Sequence, residues 1–532
     1  MGLTIVLTVI ALLLGCILSS AAPAPVIETT SGPLQGQIAD GTSGVYEYLG
    51  IPYAQPPVGN LRWALPQKYS GSSLIQATKF GNTCPAITGL TSVNTLSEEA
   101  KASNIDLTQQ GAELMVSILG QADVSYSEDC LTLNVWTKPQ QGETNKAVLL
   151  WIYGGGYNTG STDNAAYNGK YIADSEDVII VTVNYRLNIF GFPGDPHITN
   201  NLGLLDQRLA VEWVRDNIAA FGGDPTRITL FGQSAGGSSV DYYSYAWTSD
   251  PIVAGFIPES GTVLSPSSQA NGSTSAASWY NVSSTLGCGN ANSDPDQVLS
   301  CMRSKSWSAV QDAIPVGTGI SGVTGGFGPT IDETVVFSDY VSRSEAGNFI
   351  KRPLFIGNNN YEVGLFKVIF GIENVTYTEA VWDYLELVIY TCPASYRALA
   401  SVNNGVPTWR YRWFGDFPDL KLTEVPNSGA WHGSEIPVIW GTDQDIQSVV
   451  ARTDVESAIA TYTRGAWVAF AKDPVNGLTN YGLPRYNPLG ATLLQLAYNN
   501  QTGANGAFPV QYDATCPALT VLTDILLDSG IL

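Results

Sequence analysis

The chain has 532 residues, 25 Lys and Arg against 47 Asp and Glu, a formal charge of −22 and two histidines, His197 and His432. A balance this acidic gives phosphate backbones and anionic membrane surfaces no clustered cations to exchange for counterions, so nucleic acid is not expected as a partner. Two histidines cannot build a polyhistidine metal site, and no local Cys or acidic spacing suggests another cage; neither a metal nor an organic cofactor is expected.

At the N-terminus, residues 3–18 form one apolar run, followed by Ser19, Ser20, Ala21 and Ala22, the small residues a signal peptidase accepts. The run is short for a membrane span, and Pro23 and Pro25 break it off. Residues 1–22 therefore read as a signal peptide, and 23–532 as one secreted catalytic domain; the alternative is a buried N-terminal helix. Asp524 and Asp528 interrupt the apolar C-terminal stretch, so no lipid or membrane anchor is expected.

Removal of the leader takes away Cys16 and leaves Cys84, Cys130, Cys288, Cys301, Cys392 and Cys516. An even count in a secreted chain suggests disulfides, and spacing favours Cys84 with Cys130 and Cys288 with Cys301, leaving Cys392 for Cys516. Glycosylation sequons at Asn271, Asn281, Asn374 and Asn500 suit the same compartment. Residues 85–129 are rich in Ser, Thr, Gln and Ala, with an amphipathic helix candidate at 112–119. The segment 84–130 fits either a surface excursion or a flap that turns an apolar face over a pocket.

The next elements alternate. Residues 147–153 (AVLLWIY) and 178–183 (VIIVTV) are apolar, β-branched runs of the kind buried on both faces of a parallel sheet. Between 205 and 221, apolar residues recur at helical spacing until Gly222 and Gly223 stop the helix. Residues 228–231 are a third strand, and 353–356 and 409–413 two more. The pattern is α/β, with a mostly parallel central sheet flanked by helices.

The strand 228–231 runs directly into Gly232-Gln233-Ser234-Ala235-Gly236, a G-x-S-x-G pattern with a small-residue helix start behind it. A serine forced into a sharp strand-to-helix turn needs neighbours without bulk, and its Oγ then projects from the sheet edge. Upstream, the strand ending at Tyr153 runs into Gly154-Gly155-Gly156-Tyr157, where bare backbone lets N–H groups approach an oxyanion. Such a serine needs a base. His197 lies in a polar turn before it; His432 lies after it, among small residues in Gly429-Ala430-Trp431-His432-Gly433-Ser434-Glu435. The order nucleophile, acid, base then calls for a carboxylate between them. Glu362 stands after a strand, where active-site loops gather, and Asp332 and Glu333 are its rivals.

Taken together, residues 47–56 (EYLGIPYAQP), 127–136 (SEDCLTLNVW), 184–192 (NYRLNIFGF), 201–221 and the serine motif resemble the type-B carboxylesterase/lipase family, the α/β-hydrolases that include fungal Candida-type lipases and cholinesterases. The resemblance implies an α/β-hydrolase fold, Ser234 as nucleophile, Glu362 as acid and His432 as base. It also implies an oxyanion hole from the N–H groups of Gly155, Gly156 and Ala235, and disulfides Cys84–Cys130, closing the flap, and Cys288–Cys301. Cholinesterase-like members have Glu before the nucleophile and a tryptophan in the first disulfide loop; this chain has Gln233 and no tryptophan between Cys84 and Cys130, which argues against a choline ester. The family's acid is usually followed by Gly, but here Val363 intervenes, and Tyr153 replaces the His that many esterases carry before the glycines. The expected activity is hydrolysis of neutral carboxylic esters through an acyl-enzyme. An interfacial lipase or sterol esterase, and a non-catalytic adhesion or binding protein on the same fold, are the alternatives.

Overall fold

A computed structural model describes residues 23–86, 92–118, 124–139, 145–266, 269–317, 326–446 and 450–516. The expected leader with Cys16, the last residue of the 112–119 helix, and the C-terminal stretch with Asp524 and Asp528 lie outside them.

Thirteen strands of the described residues form one sheet. An N-terminal group comprises β1 (Pro23–Thr29), β2 (Gly32–Ile38), β3 (Tyr46–Pro52) and the short β4 (Ile75–Gln76). The centre contains β5 (Thr132–Thr137), β6 (Lys146–Ile152), β7 (Ile179–Val183), β8 (Gly223–Gln233) and β9 (Gly255–Glu259). Then come β10 (Leu354–Asn359), β11 (Thr408–Trp413), β12 (Leu493–Leu496) and β13 (Ala504–Ala507). Their order is β1-β2-β3-β5-β7-β6-β8-β9-β10-β11-β12-β13, with β4 beside β2. From β7 to β12 every pairing is parallel, whereas β1, β2, β3, β5 and β7 pair antiparallel, as do β12 and β13.

The central strands form where the sequence predicts them, because β6 and β7 are buried along their whole length and aliphatic side chains fill both faces. Three expectations shift. Pro23 and Pro25 open an edge strand rather than merely ending the leader, since a proline on an edge withholds no needed hydrogen bond. The strand expected at 353–356 continues to Asn359, because Gly357, Asn358 and Asn359 stay in register with Tyr411, Arg412 and Trp413. The helix expected over 205–221 spans Leu202–Asn217 and closes through a 3-10 turn at Ile218–Phe221; Gly222 then adopts φ 87°, and Gly223 already starts β8.

Disulfides join Cys84 to Cys130, Cys288 to Cys301 and Cys392 to Cys516, with Cα separations of 5.1, 5.4 and 5.4 Å. Inside the first loop lie helices Val93–Ala102 and Gln109–Ile118. Hydrogen bonds tie them down: Ser103 Oγ donates to Ile372 O (2.9 Å), Thr108 N to Leu422 O (2.9 Å), and Asn164 Nδ2 to Ile118 O (2.7 Å). Of the four sequon residues, Asn271, Asn281 and Asn374 are exposed, while the amide of Asn500 is engaged by the backbone of Asp416. Among the described residues no helix is long and apolar enough to cross a membrane.

One buried ion pair fixes the loop after β7 to the helix behind it. Arg186 donates from Nε (2.8 Å) and Nη2 (2.7 Å) to the two oxygens of Asp206, and its own backbone N–H reaches the same carboxylate at 3.1 Å. Asp206 is fully buried and Arg186 is 2% exposed, so removing one partner strands a charge without water. Asp206→Ala is expected to destabilise the protein by about 3–5 kcal/mol in equilibrium denaturation. The double variant Arg186→Met/Asp206→Leu should recover part of that loss, because it leaves no charge behind.

Candidate active site

Ser234 occupies the single residue between the end of β8 and the start of helix Ala235–Ala246, at φ 58° and ψ −124°. Non-glycine residues avoid this region, and they persist there only where the surroundings over-determine them. Here the Ser234 N–H donates to Glu259 O (2.9 Å), and its carbonyl accepts from Ser238 N (2.9 Å). On the other side the turn runs against β6: a Cβ on Gly236 would collide with the carbonyl oxygen of Ile152, so only glycine fits. Ser234 is partly exposed while its neighbours on both sides are buried, and its hydroxyl does not cap the helix. The first N–H groups of that helix, Ala235 at their head, give the turn a partial positive end.

Glu362 follows β10 and is fully buried. Its Oε2 lies 2.6 Å from His432 Nδ1, its Oε1 accepts from Asn359 N (2.6 Å), and its carbonyl accepts from His432 N at 3.3 Å. A carboxylate on Nδ1 favours the tautomer that carries its proton there and leaves Nε2 as the acceptor. That nitrogen is turned toward the serine turn, 3.3 Å from the Nε2 of Gln233. The rings of Phe366 and Tyr390 pack beside the imidazole at centroid distances of 5.3 and 5.0 Å, and Trp431 next to it is anchored by its indole N–H on Leu420 O (2.6 Å).

The rivals lie elsewhere. Asp332 Oδ1 accepts the N–H groups of Thr334, Val335 and Val336, and its Oδ2 accepts from Asn201, so this carboxylate organises its own loop. Glu333 accepts from Ser338 N at 3.2 Å. His197 is exposed in a turn stabilised by its N–H on Asp195 Oδ1 (3.0 Å).

The glycine turn after β6 reaches the same place. An ideal Cβ on Gly154 would fall 2.8 Å from Ser234 Cβ, so the turn runs alongside the serine. Gly155 and Gly156 have φ of 108° and 60° and are partly exposed within a stretch that is otherwise mostly buried. Tyr153 is fully buried and stacks on Tyr185 at 4.6 Å, with Tyr185 Oη donating to Tyr153 O (2.8 Å); it forms the wall behind the turn.

Residues outside the sequence reading complete the site. Glu435, three positions after His432, accepts from Asn359 Nδ2 at 2.5 Å; burial, with the charge of Glu362 adding to it, pushes its carboxyl up to about 8. Burial and the same charge also raise Glu386, whose Oε2 accepts from Val363 N (3.2 Å) with the Arg412 guanidinium 3.7 Å away. Glu386 opens a π-helical stretch, Glu386–Thr391, that also carries Tyr390, the ring beside His432. Glu435 belongs to the histidine motif and was visible there; nothing in the sequence links Glu386 or Tyr390 to His432. Among the described residues no group of three or more His, Cys, Asp or Glu side chains is arranged to hold a metal ion.

The chain is similar to known proteins over most of its length. The model of the Carboxylesterase family matches residues 23–376. A chlorogenic acid esterase of Aspergillus niger is 32% identical over 477 residues, 87% of this chain and 87% of its own. Secreted lipase 5 of Gibberella zeae is 31% identical over 512 residues, covering 89% of this chain and 90% of its own, and a cholinesterase of Mus musculus is 34% identical over 351 residues, 64% and 54%.

The raised acids have a consequence for stability. A carboxyl whose pKa is about 8 in the folded state and about 4.3 when unfolded binds its proton more tightly in the folded chain. Its contribution is therefore complete below the unfolded value and is lost as pH rises toward 8. Thermal unfolding should show a higher midpoint at pH 5 than at pH 8, and the difference should shrink in Glu435→Gln, which keeps the neutral shape and the Asn359 hydrogen bond.

Proposed function

Because the chain belongs to the carboxylesterase family, we propose that its carboxylic-ester hydrolysis is carried by Ser234, His432 and Glu362, with the N–H groups of Gly155, Gly156 and Ala235 as the oxyanion hole. The observation that carries this assignment is the 2.6 Å contact of a buried glutamate with the Nδ1 of a histidine whose other nitrogen faces the serine turn. His432 takes the proton of Ser234 as its Oγ attacks the ester carbonyl. The backbone N–H groups hold the negative charge of the tetrahedral intermediate, and the alcohol leaves with the proton from His432. Water then repeats the sequence on the acyl-enzyme. Glu362 holds the imidazole in the required tautomer and stabilises its charged form without taking the proton itself.

The protein enters the secretory route through a leader at residues 1–22. Three disulfides and three exposed sequon residues support that reading, as does a relative named a secreted lipase. Neutral carboxylic esters are the substrate class. Cinnamoyl-type esters belong among the substrates tested, because the Aspergillus relative is named a chlorogenic acid esterase and two aromatic rings lie beside His432. A lipase is the second reading, favoured by the helix pair in the first disulfide loop and the name of the Gibberella relative.

Ser234→Ala is expected to lower kcat on p-nitrophenyl esters by about 10⁴-fold or more, and Glu362→Gln by about 10³- to 10⁴-fold, with folding intact by circular dichroism. A Ser234→Ala protein of wild-type activity, or one still labelled by a fluorophosphonate, would overturn the assignment. Rates on a triacylglycerol series below and above its solubility limit separate the readings: an esterase saturates in solution, whereas a lipase gains activity once an interface appears.

A further inference from the structure

We propose that Asn158 is the positioning residue that aims the oxyanion donors of the glycine turn, an inference that rests on the hydrolase reading of Ser234, Gly155 and Gly156. Three consecutive residues there have left-handed backbones: Gly155 at φ 108°, Gly156 at 60° and Tyr157 at 62°. The glycines adopt this at no steric cost, but Tyr157 carries a Cβ and gives up about 1–2 kcal/mol. A turn of this kind does not hold itself; hydrogen bonds from outside each peptide plane must fix it.

The bonds that do so converge on one residue. The carbonyl of Gly155 accepts from Asn158 N (3.0 Å) and from Thr159 N (3.1 Å). The carbonyl of Gly156 accepts from the side-chain Nδ2 of Asn158 at 2.6 Å. Asn158 therefore grips both glycine carbonyls, one with its main chain and one with its amide. In a trans peptide the N–H points opposite to the preceding carbonyl. With the Gly155 oxygen turned into the loop, the Gly156 N–H must leave it on the other side; Gly156 is partly exposed, and the turn it belongs to runs alongside Ser234. The amide bond to Gly156 O then fixes the next plane, so the turn cannot relax by rotating the peptide between Gly156 and Tyr157. Tyr157, which follows, is tied beyond the turn: its carbonyl accepts from Asn188 N (2.7 Å), and Ser239 Oγ, on the helix headed by Ala235, donates to its Oη (3.3 Å). Ser239 in turn accepts from Gln207 Nε2 (3.1 Å). The two halves of the oxyanion hole, the glycine turn and the helix start, are thus registered against each other, and Asn158 is the side chain that closes the glycine half.

The role requires an N–H donor at Nδ2. Asp presents only acceptors to the Gly156 oxygen and repels it, while Leu fills the same space, 3% exposed, with no polar group. The test uses the full-length protein with Asn158→Asp and Asn158→Leu, measuring kcat and KM on p-nitrophenyl butyrate, inhibition by a trifluoromethyl ketone, and the thermal midpoint. The ketone forms a hemiketal on the serine, whose oxyanion needs the same donors. Loss of one whole oxyanion donor costs ~10²–10³ in kcat, so a mis-aimed one should cost about 10- to 100-fold, with KM within about two-fold and ketone affinity falling in step with kcat. Asn158→Asp should be the worse of the two. If Ser234→Ala abolishes turnover while both Asn158 variants keep wild-type kcat and ketone affinity, the positioning role is overturned and the hydrolase reading stands. A loss of kcat that follows a fall in the thermal midpoint, with ketone affinity per active site unchanged, also overturns it, because that pattern marks a merely structural residue. Full activity in Ser234→Ala would remove the reading on which the proposal rests.

Discussion

The close approach of two strand ends, β6 and β8, is the constraint on which the rest of the site depends. The helix after β8 starts so near the carbonyl of Ile152 that no side chain fits at Gly236. Packing at that distance leaves Ser234 no relaxed backbone conformation and brings the glycine turn after β6 alongside it. A parallel sheet can impose such crowding because its strands end on one edge and its cross-strand hydrogen bonds resist sliding. The strain at Ser234 is held in place by the sheet, not by its turn alone.

Electrostatics sets a second limit. Glu259, Glu362, Glu386 and Glu435 are all buried around the ends of β9 and β10. Burial raises Glu259, Glu386 and Glu435, and the charge of Glu362 contributes to the rise of the latter two. Negative charges buried together in a medium of low dielectric disfavour one another, which adds to the rise that burial alone imposes. The member with an imidazole against it is Glu362, which also receives the Asn359 N–H. Its neighbours serve as neutral hydrogen-bonding groups that hold the loops: Glu435 through the amide of Asn359, and Glu386 through the backbone of Val363.

What was legible in the sequence follows from which forces act locally. The central strands are buried on both faces and read as continuous apolar runs, and the serine turn needs small residues at fixed offsets, so both leave a pattern. Glu362 was readable from its place after a strand, even though Asn358 and Asn359 turned out to continue that strand because β11 pairs with them. The N-terminal antiparallel strands were not readable: β2 alternates buried and half-buried positions built from Gly, Pro and Gln, with no hydrophobic run. The groups about His432 were not readable either, because Phe366, Glu386 and Tyr390 reach it through tertiary packing, and the π-helical turn that carries two of them has no compositional mark.

Gln233 brings the two constraints together. Its side chain is almost completely buried, and its Nε2 lies 3.3 Å from His432 Nε2. A carboxylate there would add another buried acid to a cluster in which burial already raises three carboxyls. It would also set a second negative charge against the imidazole that Glu362 already holds. The amide removes both effects while keeping the length needed to pack against Gly154 and Gly433. An amide at this position is therefore what the chain's own buried acids call for.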